Sequence, residues 1–256
     1  MDDITQTLLQ YKGLVAGTWL VLLFFAERLV PAAERVGGWP RVFRNAGLWA
    51  INIGLSLTIV VPVSYWATDS ALDWRPDWYT GWLPIAVDII ILDFLIYWWH
   101  RANHVIPILW RFHQVHHLDE FLDVTSSVRF HFCEVLLSAC FRAVVILALG
   151  MPLASVLAFE ALVLLAAAFQ HSNLSLHKGR EEEIASILIT PSIHWVHHHA
   201  VRADTDSNYG TIFSFWDSMF GSRSPTPRSL DMKIGVENRS DDGFFGLLIR
   251  PFQRQD

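Results

Sequence analysis

The sequence predicts an all-α fold: a bundle of about four or five membrane-spanning helices with a cytoplasmic helical cap that holds a histidine-rich site for two metal ions. Two observations lead to this prediction. Of the 256 residues, 52% are hydrophobic, which is more than an average soluble domain contains, and they form runs long enough to cross a bilayer. All twelve histidines lie at or after position 100, most of them in three short clusters.

Residues 1–80 are expected to form the N-terminal membrane helices. The first apolar run, residues 14–26, ends at Glu27 and Arg28. It is therefore either a spanning helix that extends at both ends or an interfacial helix, and the sequence favours the first. Residues 31–45 carry three arginines and are interpreted as a connector.

The second apolar run, residues 46–67, contains no charged residue and is long enough to span the hydrocarbon core. Pro62 predicts a kink near its end. A polar, tryptophan-rich loop with more acidic than basic residues follows at residues 68–80.

The third apolar run, residues 81–99, predicts another crossing and opens the expected catalytic domain, residues 81–222. Asp88 and Asp93 lie inside this run, where carboxylates are costly in lipid and should face the protein interior. Asp93 precedes His100 by seven residues, or two helical turns on the same face, so it could hold the far ring nitrogen of that histidine.

Residues 135–169 contain two apolar stretches around a Leu-Gly-Met-Pro turn at residues 149–152, which predicts a hairpin of antiparallel helices. Arg142 and Glu160 lie where they could pair across it. Each arm is slightly short for a full span, so the hairpin either crosses and returns or dips partway. The last part, residues 223–256, predicts a polar surface tail with a short apolar patch that leans on the membrane or on the domain.

The histidine clusters have the spacing of metal ligands, because residues three and four apart share one face of a helix. Adjacent imidazoles repel each other when protonated and need partners when neutral and buried. A bound metal ion keeps them neutral and is itself the partner. Eight histidines in three boxes exceed the four ligands of a structural zinc ion, which suggests two metals in one site. The three boxes consist of His100, His104, His113, His116, His117, His194, His197 and His198.

The boxes H-R-x-x-H, H-x-x-H-H and H-x-x-H-H resemble those of the fatty acid hydroxylase and sterol desaturase superfamily of membrane-bound di-iron oxygenases. The resemblance covers roughly residues 83–222 and includes motifs between the boxes. These are Asp93 with Tyr97-Trp98-Trp99, Arg129-Phe130-His131 with Glu134, His171-Ser172-Asn173, Asp206, Asn208-Tyr209-Gly210 and Trp216-Asp217.

The resemblance implies His171 as a ninth metal ligand and no catalytic residue apart from the ligands. It also implies roles in supporting or shaping the metal site for Asp93, Arg129, His131, Glu134, Asp206, Asn208, Tyr209 and Asp217. Arg129 and Asp206 are expected in one polar network. Some relatives have a further histidine where this chain has Ser175, so the ligand count stays open at His177 and at His199, which we expect to be a surface neighbour.

The function implied by the resemblance is O2-dependent hydroxylation or desaturation of a C–H bond in a lipid, such as a fatty acyl chain or a sterol, by two iron ions. The electrons would come from a cytochrome, ferredoxin or reductase, because the sequence has no flavin or nicotinamide fingerprint and no cysteine-rich cluster. A stand-alone enzyme of the bacterial inner membrane is expected. The arginines after residue 99 and the acidic loop before it place the boxes in the cytoplasm by the positive-inside rule.

Two other functions remain open: a membrane zinc hydrolase and a non-enzymatic metal-binding membrane protein. The first would need a general-base carboxylate beside fewer ligands, as in H-E-x-x-H, and the sequence contains no such motif. Nucleic acid is not expected as a partner, because the net charge is −6 and no long Lys/Arg cluster occurs.

Overall fold

The computed structural model of the protein describes residues 3–76 and 78–254, so the outer limits of the first and last predicted domains lie outside the described residues. The described part is helical, and its only extended pairings are three isolated antiparallel bridges. In chain order the helices are α1 (Asp3–Leu29), α2 (Gly38–Leu55), α3 (Val61–Asp69), α4 (Trp82–Val105), α5 (Pro107–His117), α6 (Phe132–Leu149), α7 (Leu153–His171), α8 (Lys178–Ala185), α9 (Pro191–His197), α10 (Arg202–Thr205), α11 (Phe215–Met219) and α12 (Phe244–Ile249).

Within residues 3–76 and 78–254, five helical units are long and apolar enough to cross a membrane: α1, the continuous unit from α2 to α3, α4, α6 and α7. Their outward faces are apolar, since Leu14, Phe43 and Leu57 are each more than 60% exposed. A helix that shows large apolar side chains outward needs hydrocarbon around it. The predicted all-α membrane bundle is confirmed, with five candidate spans.

Of the first two helices, one follows the sequence expectation and the other begins earlier than expected. The helix around residues 14–26 extends in both directions, as the spanning alternative required. The interpretation of residues 31–45 as a connector is wrong from residue 38 onward, because α2 begins at Gly38. Arg41 and Asn45 resemble loop residues in the sequence but are buried here among polar partners, which allows the helix to start early.

The irregularity expected at Pro62 takes the form of a π-helical turn at Ser56–Val60, which joins α2 to α3 without a break. Proline has no backbone N–H, and its ring collides with the carbonyl four residues before it. A wider turn directly before the proline accommodates both effects while the helix continues.

The hairpin of α6 and α7 is present as predicted. Gly150 ends α6 in the left-handed conformation at φ 59°, and a Cβ atom there would lie 2.5 Å from the carbonyl oxygen of Leu72. Glycine is therefore needed at this turn. Across the hairpin, Arg142 Nη2 lies 3.4 Å from Glu160 Oε1, and Lys12 of α1 approaches the same carboxylate at 3.1 Å.

The C-terminal apolar patch packs on the domain. Leu247 of α12 is fully buried and packs with Leu48, Val115 and Leu118. A short 3-10 turn, Arg250–Phe252, follows α12. The patch thus covers the back of α5, the helix that carries the second histidine box.

Candidate metal centre

Nine histidines converge at one end of the helical bundle and form two adjacent groups. In each group, one ring nitrogen from every member lies within 4.8 Å of the others. The first group consists of His100, His104, His113, His117 and His197, and the second consists of His116, His171, His194 and His198. The structure thus brings together all nine residues that the sequence and the resemblance pointed to.

The division into groups follows from helical spacing within each H-x-x-H-H box. The first and last histidines of a box are four residues apart and share a face, while the middle one turns toward the other group. In α5 the outer pair joins the first group and His116 joins the second. In α9 and the residue after it the outer pair joins the second group and His197 joins the first. Each box therefore contributes to both groups.

The donor atoms fit metal ions. Within the groups, the Nε2 atoms of four neighbouring pairs of histidines lie 2.9–3.2 Å apart. Two ligands at right angles on one ion, with bonds of about 2.1 Å, are separated by about 3.0 Å. In the described part of the chain, the Nε2 atoms of His104 and His197 are buried without a hydrogen-bond partner.

Five of the nine imidazoles are oriented through Nδ1, which donates to an oxygen 2.6–3.1 Å away. The pairs are His100 with Tyr209, His116 with Arg129, His171 with Ala167 and His197 with Ser207 through backbone carbonyls, and His113 with Glu134 through the carboxylate. Donation from Nδ1 fixes the tautomer and leaves the lone pair of Nε2 free to bind a metal.

The electrostatics of the site favour neutral imidazoles. Burial lowers the pKa of His116, His117, His194 and His198 well below its ordinary value, and the neighbouring imidazoles lower it further. Burial also lowers the pKa of His197 to about 3, although a backbone carbonyl partly opposes the shift. Metal ions bind imidazole in its neutral form, so these side chains are in the state that binding requires.

A buried ion network lies behind the second box. Arg41 of α2 contacts Asp119 at 2.5 Å and Asp123 at 2.7 Å, and Asn45 donates to Asp119 at 3.0 Å. Burial alone would raise the pKa of Asp119, but Arg41 and Arg129 outweigh it and hold the pKa below its usual value. This network was not predicted, although a carboxylate two residues after the second box was an available signal.

The predicted contact between Asp93 and His100 is wrong. Two helical turns advance by about 10 Å along the axis, which is too far for an aspartate side chain. Asp93 instead accepts hydrogen bonds from the backbone N–H groups of Ile212 and Phe213 and from the indole of Trp216, at 2.9–3.1 Å. Asp93, a residue of α4, thus anchors the segment of residues 212–216, which covers the site.

The turn just before that segment supplies one of the orienting carbonyls. Asp217 accepts hydrogen bonds from the backbone N–H groups of Tyr209 at 2.7 Å and Gly210 at 2.9 Å. Asn208 precedes them at φ 51°, a left-handed conformation that asparagine tolerates well. The carbonyl of Tyr209 then accepts from His100, so Asp217 acts on the metal centre through the backbone.

Replacing Gly210 with alanine is expected to destabilise the protein by about 1–3 kcal/mol, as overpacking does, and to lower its metal content. The added Cβ would lie 2.7 Å from Ile189 Cδ1, 2.8 Å from the carbonyl oxygen of Phe213 and 2.9 Å from Asp217 Oδ2. Thermal unfolding and metal analysis of the purified protein measure both effects. Gly243→Ala is the matched control, because its Cβ would meet nothing within 4 Å. Equal behaviour of the two variants would contradict the prediction.

Arg129 and Asp206 lie in separate networks, so the expectation of a shared one is wrong. The guanidinium of Arg129 binds the side-chain oxygen of Asn45 at 3.0 Å. Asp206 pairs with Arg202 at 2.6 Å and lies 3.5 Å from Nδ1 of His104. Both residues still border the histidines, each through a different element.

The remaining histidines lie outside both groups. His131 caps the start of α6, where its Nδ1 accepts from the backbone N–H of Cys133 at 3.1 Å. His199 pairs with Asp204 at 2.8 Å, in line with its expected place beside the site. His177 is exposed at the start of α8. The ligand candidates in the described residues are therefore the nine grouped histidines.

A cavity of about 460 Å³ lies between the membrane helices and leads to the histidines. Its size is within the range of small-molecule sites, about 300–1,000 Å³. His100, His113, His116, His171 and His194 line one end. Apolar side chains of α3, α4, α6 and α7 line its length, so a long hydrocarbon chain fits its surface chemistry.

Comparisons with known proteins agree with the geometry. The profile of the fatty acid hydroxylase family, described as "Fatty acid hydroxylase", matches residues 85–222, just over half of the chain. Ornithine lipid hydroxylase OlsE of Rhizobium tropici is 31% identical over 180 residues, which cover 70% of this chain and 54% of that protein.

Other relatives are also named for lipid oxidation. Alkylglycerol monooxygenase of Danio rerio is 34% identical over 154 residues, covering 60% of this chain and 32% of that protein. Lathosterol oxidase of Mus musculus is 30% identical over 152 residues, covering 57% of this chain and 48% of that protein. The chain thus spans about half or less of the length of these relatives, and no solved structure matches it.

Proposed function

The chain belongs to the fatty acid hydroxylase family, and from this premise we propose that it oxidises a C–H bond of a membrane lipid, by hydroxylation or desaturation. O2 is the co-substrate, and the electrons come from a separate protein such as a cytochrome, ferredoxin or reductase. The observation that carries the proposal is the cavity between membrane helices that ends at histidines of both groups.

We propose that the nine grouped histidines hold two iron ions, one in each group. Iron bound there would supply the oxidising power to take hydrogen from an unactivated C–H bond in the presence of dioxygen and electrons. Zinc has no redox chemistry, whereas the relatives are named hydroxylase, monooxygenase and oxidase. This difference supports iron over a zinc hydrolase and supports an enzyme over a metal carrier.

The protein's own residues orient the imidazoles, bind the lipid and exclude water. Glu134 and the backbone carbonyl of Tyr209 hold two imidazoles by their outer nitrogens, so that the inner nitrogens stay aimed at the metals. Apolar side chains such as Ile96 and Val163 line the cavity and keep the reacting carbon in a dry environment. A lipid chain entering from the bilayer would therefore reach the site without crossing water.

We also propose that the histidine end of the bundle faces the cytoplasm. Arg101, Arg111 and Arg202 lie near this end, whereas Asp69 and Asp73 lie at the opposite ends of the helices. The positive-inside rule favours this orientation. A soluble electron donor would then reach the protein from the cytoplasmic side.

Lipid mass spectrometry tests the proposed function. Cells that express the wild-type chain should contain a lipid that gains one oxygen atom, or loses two hydrogens, relative to cells with the His116→Ala, His117→Ala double variant. The first outcome identifies a hydroxylase and the second a desaturase. If a folded, iron-loaded protein supplied with an electron donor changes no lipid, or if the purified protein contains only zinc, the proposal is wrong.

A further inference from the structure

Three charged side chains lie at the end of the cavity that is remote from the histidines. Lys12 of α1 and Arg142 of α6 both contact the carboxylate of Glu160 on α7, at 3.1 Å and 3.4 Å. All three line the same cavity as the histidines. Between 20% and 27% of each side chain is exposed, so they are accessible from the cavity.

These charges lie in the middle of membrane-spanning helices, where an isolated charge is expensive. The two cations face a single carboxylate, which leaves one formal positive charge unbalanced. The Nε atom of Arg142 is also buried without a hydrogen-bond partner in the described part of the chain. The cluster therefore lacks one acceptor that carries negative charge.

A purely structural role would need only one cation for Glu160. An Arg142–Glu160 pair alone would tie α6 to α7, and the apolar contacts of α1 with α7 already hold the first helix, as at Leu23 and Ala168. The second cation adds desolvation cost without adding a partner. Its presence on a cavity wall fits a site that is completed by a ligand.

The rest of the cavity indicates the chemical nature of the remainder of that ligand. Glu160 and His171 are eleven residues apart on α7, a distance of about 16 Å along the helix axis. Phe159, Val163 and Leu164 line the cavity and offer only carbon to it. With C–C bonds of about 1.5 Å, an extended zigzag chain advances about 1.25 Å per bond, so about thirteen carbon atoms cover this distance.

We propose that Lys12 and Arg142 bind the carboxylate of a long-chain acid whose hydrocarbon part extends through the cavity to the histidines. The substrate class is then an acidic lipid that is oxidised far from its acid group, about thirteen carbons away. Charge-assisted hydrogen bonds to the two cations fix which carbon reaches the metal centre. This inference rests on the proposed function, because it assigns the substrate of the same site.

Direct binding tests the proposal without turnover. The purified full-length protein in detergent is titrated, without an electron donor, with palmitate and with hexadecanol, which has the same chain length and no charge. The wild type should bind palmitate at least about ten-fold more tightly than hexadecanol. Arg142→Met should abolish this preference, Arg142→Lys should keep most of it, and Glu160→Gln should increase it by removing the competing carboxylate.

Ser138→Ala is the matched control, because Ser138 lines the cavity without carrying charge, and it should leave the preference unchanged. Thermal unfolding of each variant separates loss of folding from loss of binding, and Glu160→Gln keeps the test valid if Arg142→Met does not fold. Equal binding of acid and alcohol to the wild type, or an unchanged preference in Arg142→Met, overturns the inference.

The binding result is independent of oxygenase activity. If palmitate is preferred but no lipid is ever oxidised, the acid site stands and the proposed function fails. If cells contain an oxidised lipid but the purified protein shows no preference for the acid, only the acid site fails.

Discussion

Replacing His198 with alanine is expected to lower the metal affinity of the second group and the activity by more than about 100-fold, so that metal content falls from about two ions per chain toward one. The same change at the adjacent His199 should leave both unchanged. His198 belongs to the second group of ring nitrogens, and its ring stacks 4.2 Å from that of His117 in the first. Residues that only orient a ligand cost 10–100-fold when mutated, so loss of a ligand should cost more. His199 contacts Asp204 and lies outside both groups.

Metal analysis by mass spectrometry, expressed as ions per chain, measures the first effect, and oxidised lipid per cell measures the second. The two histidines are neighbours in sequence and differ only in what their rings contact, so the pair controls for effects on local folding. Similar metal content in the two variants would show that the histidine groups do not bind metal as the structure indicates.

Replacing Arg41 with methionine is expected to lower the free energy of unfolding by about 3–5 kcal/mol, because it leaves the buried Asp123 without its cation and Asp119 with only Arg129, 3.9 Å away. Arg41 is 2% exposed and binds both Asp119 and Asp123. Asp119 lies two residues after the last histidine of the second box, where α5 ends. The variant should therefore also bind metal less tightly, since the end of α5 loses its anchor.

Arg44→Met provides the control for Arg41→Met. Arg44 lies one helical turn further along α2 and pairs with Asp241, but 27% of its side chain is exposed. Partly exposed ion pairs contribute at most about 1 kcal/mol. Denaturant unfolding of both variants in detergent gives the comparison. If Arg41→Met is no less stable than Arg44→Met, the buried network does not hold the site in place.

Local patterns in the sequence were sufficient to predict the membrane helices and the eight histidines of the three boxes, whereas His171 followed only from the family resemblance. The length of each apolar run and the spacing of three or four residues within each box are properties of one helix at a time. The hairpin turn at Gly150 and the pairing of Arg142 with Glu160 across it are also local, since few residues separate the arms from the turn. These predictions needed no knowledge of how distant helices pack.

Features that depend on distant parts of the chain were not predictable in the same way. Arg41 resembles a loop residue until Asp119, 78 residues later, is placed beside it, and this is why the start of α2 was missed. The second histidine group depends on the contact between His116 and His171, which are 55 residues apart. Asp93 shares a helix face with His100, but its side chain binds the segment after Tyr209 instead. Only the folded structure shows this choice of partner.

The order of the ligands along the chain sets an order of events during biosynthesis. His171 ends the last candidate membrane helix, and His194 follows 23 residues later. All five helices therefore leave the ribosome, and can enter the bilayer, before the third box leaves it. Neither histidine group is complete until that box arrives, so metal capture is a late step that follows membrane insertion. In a cell starved of the metal that these groups bind, the chain would be inserted with both groups empty.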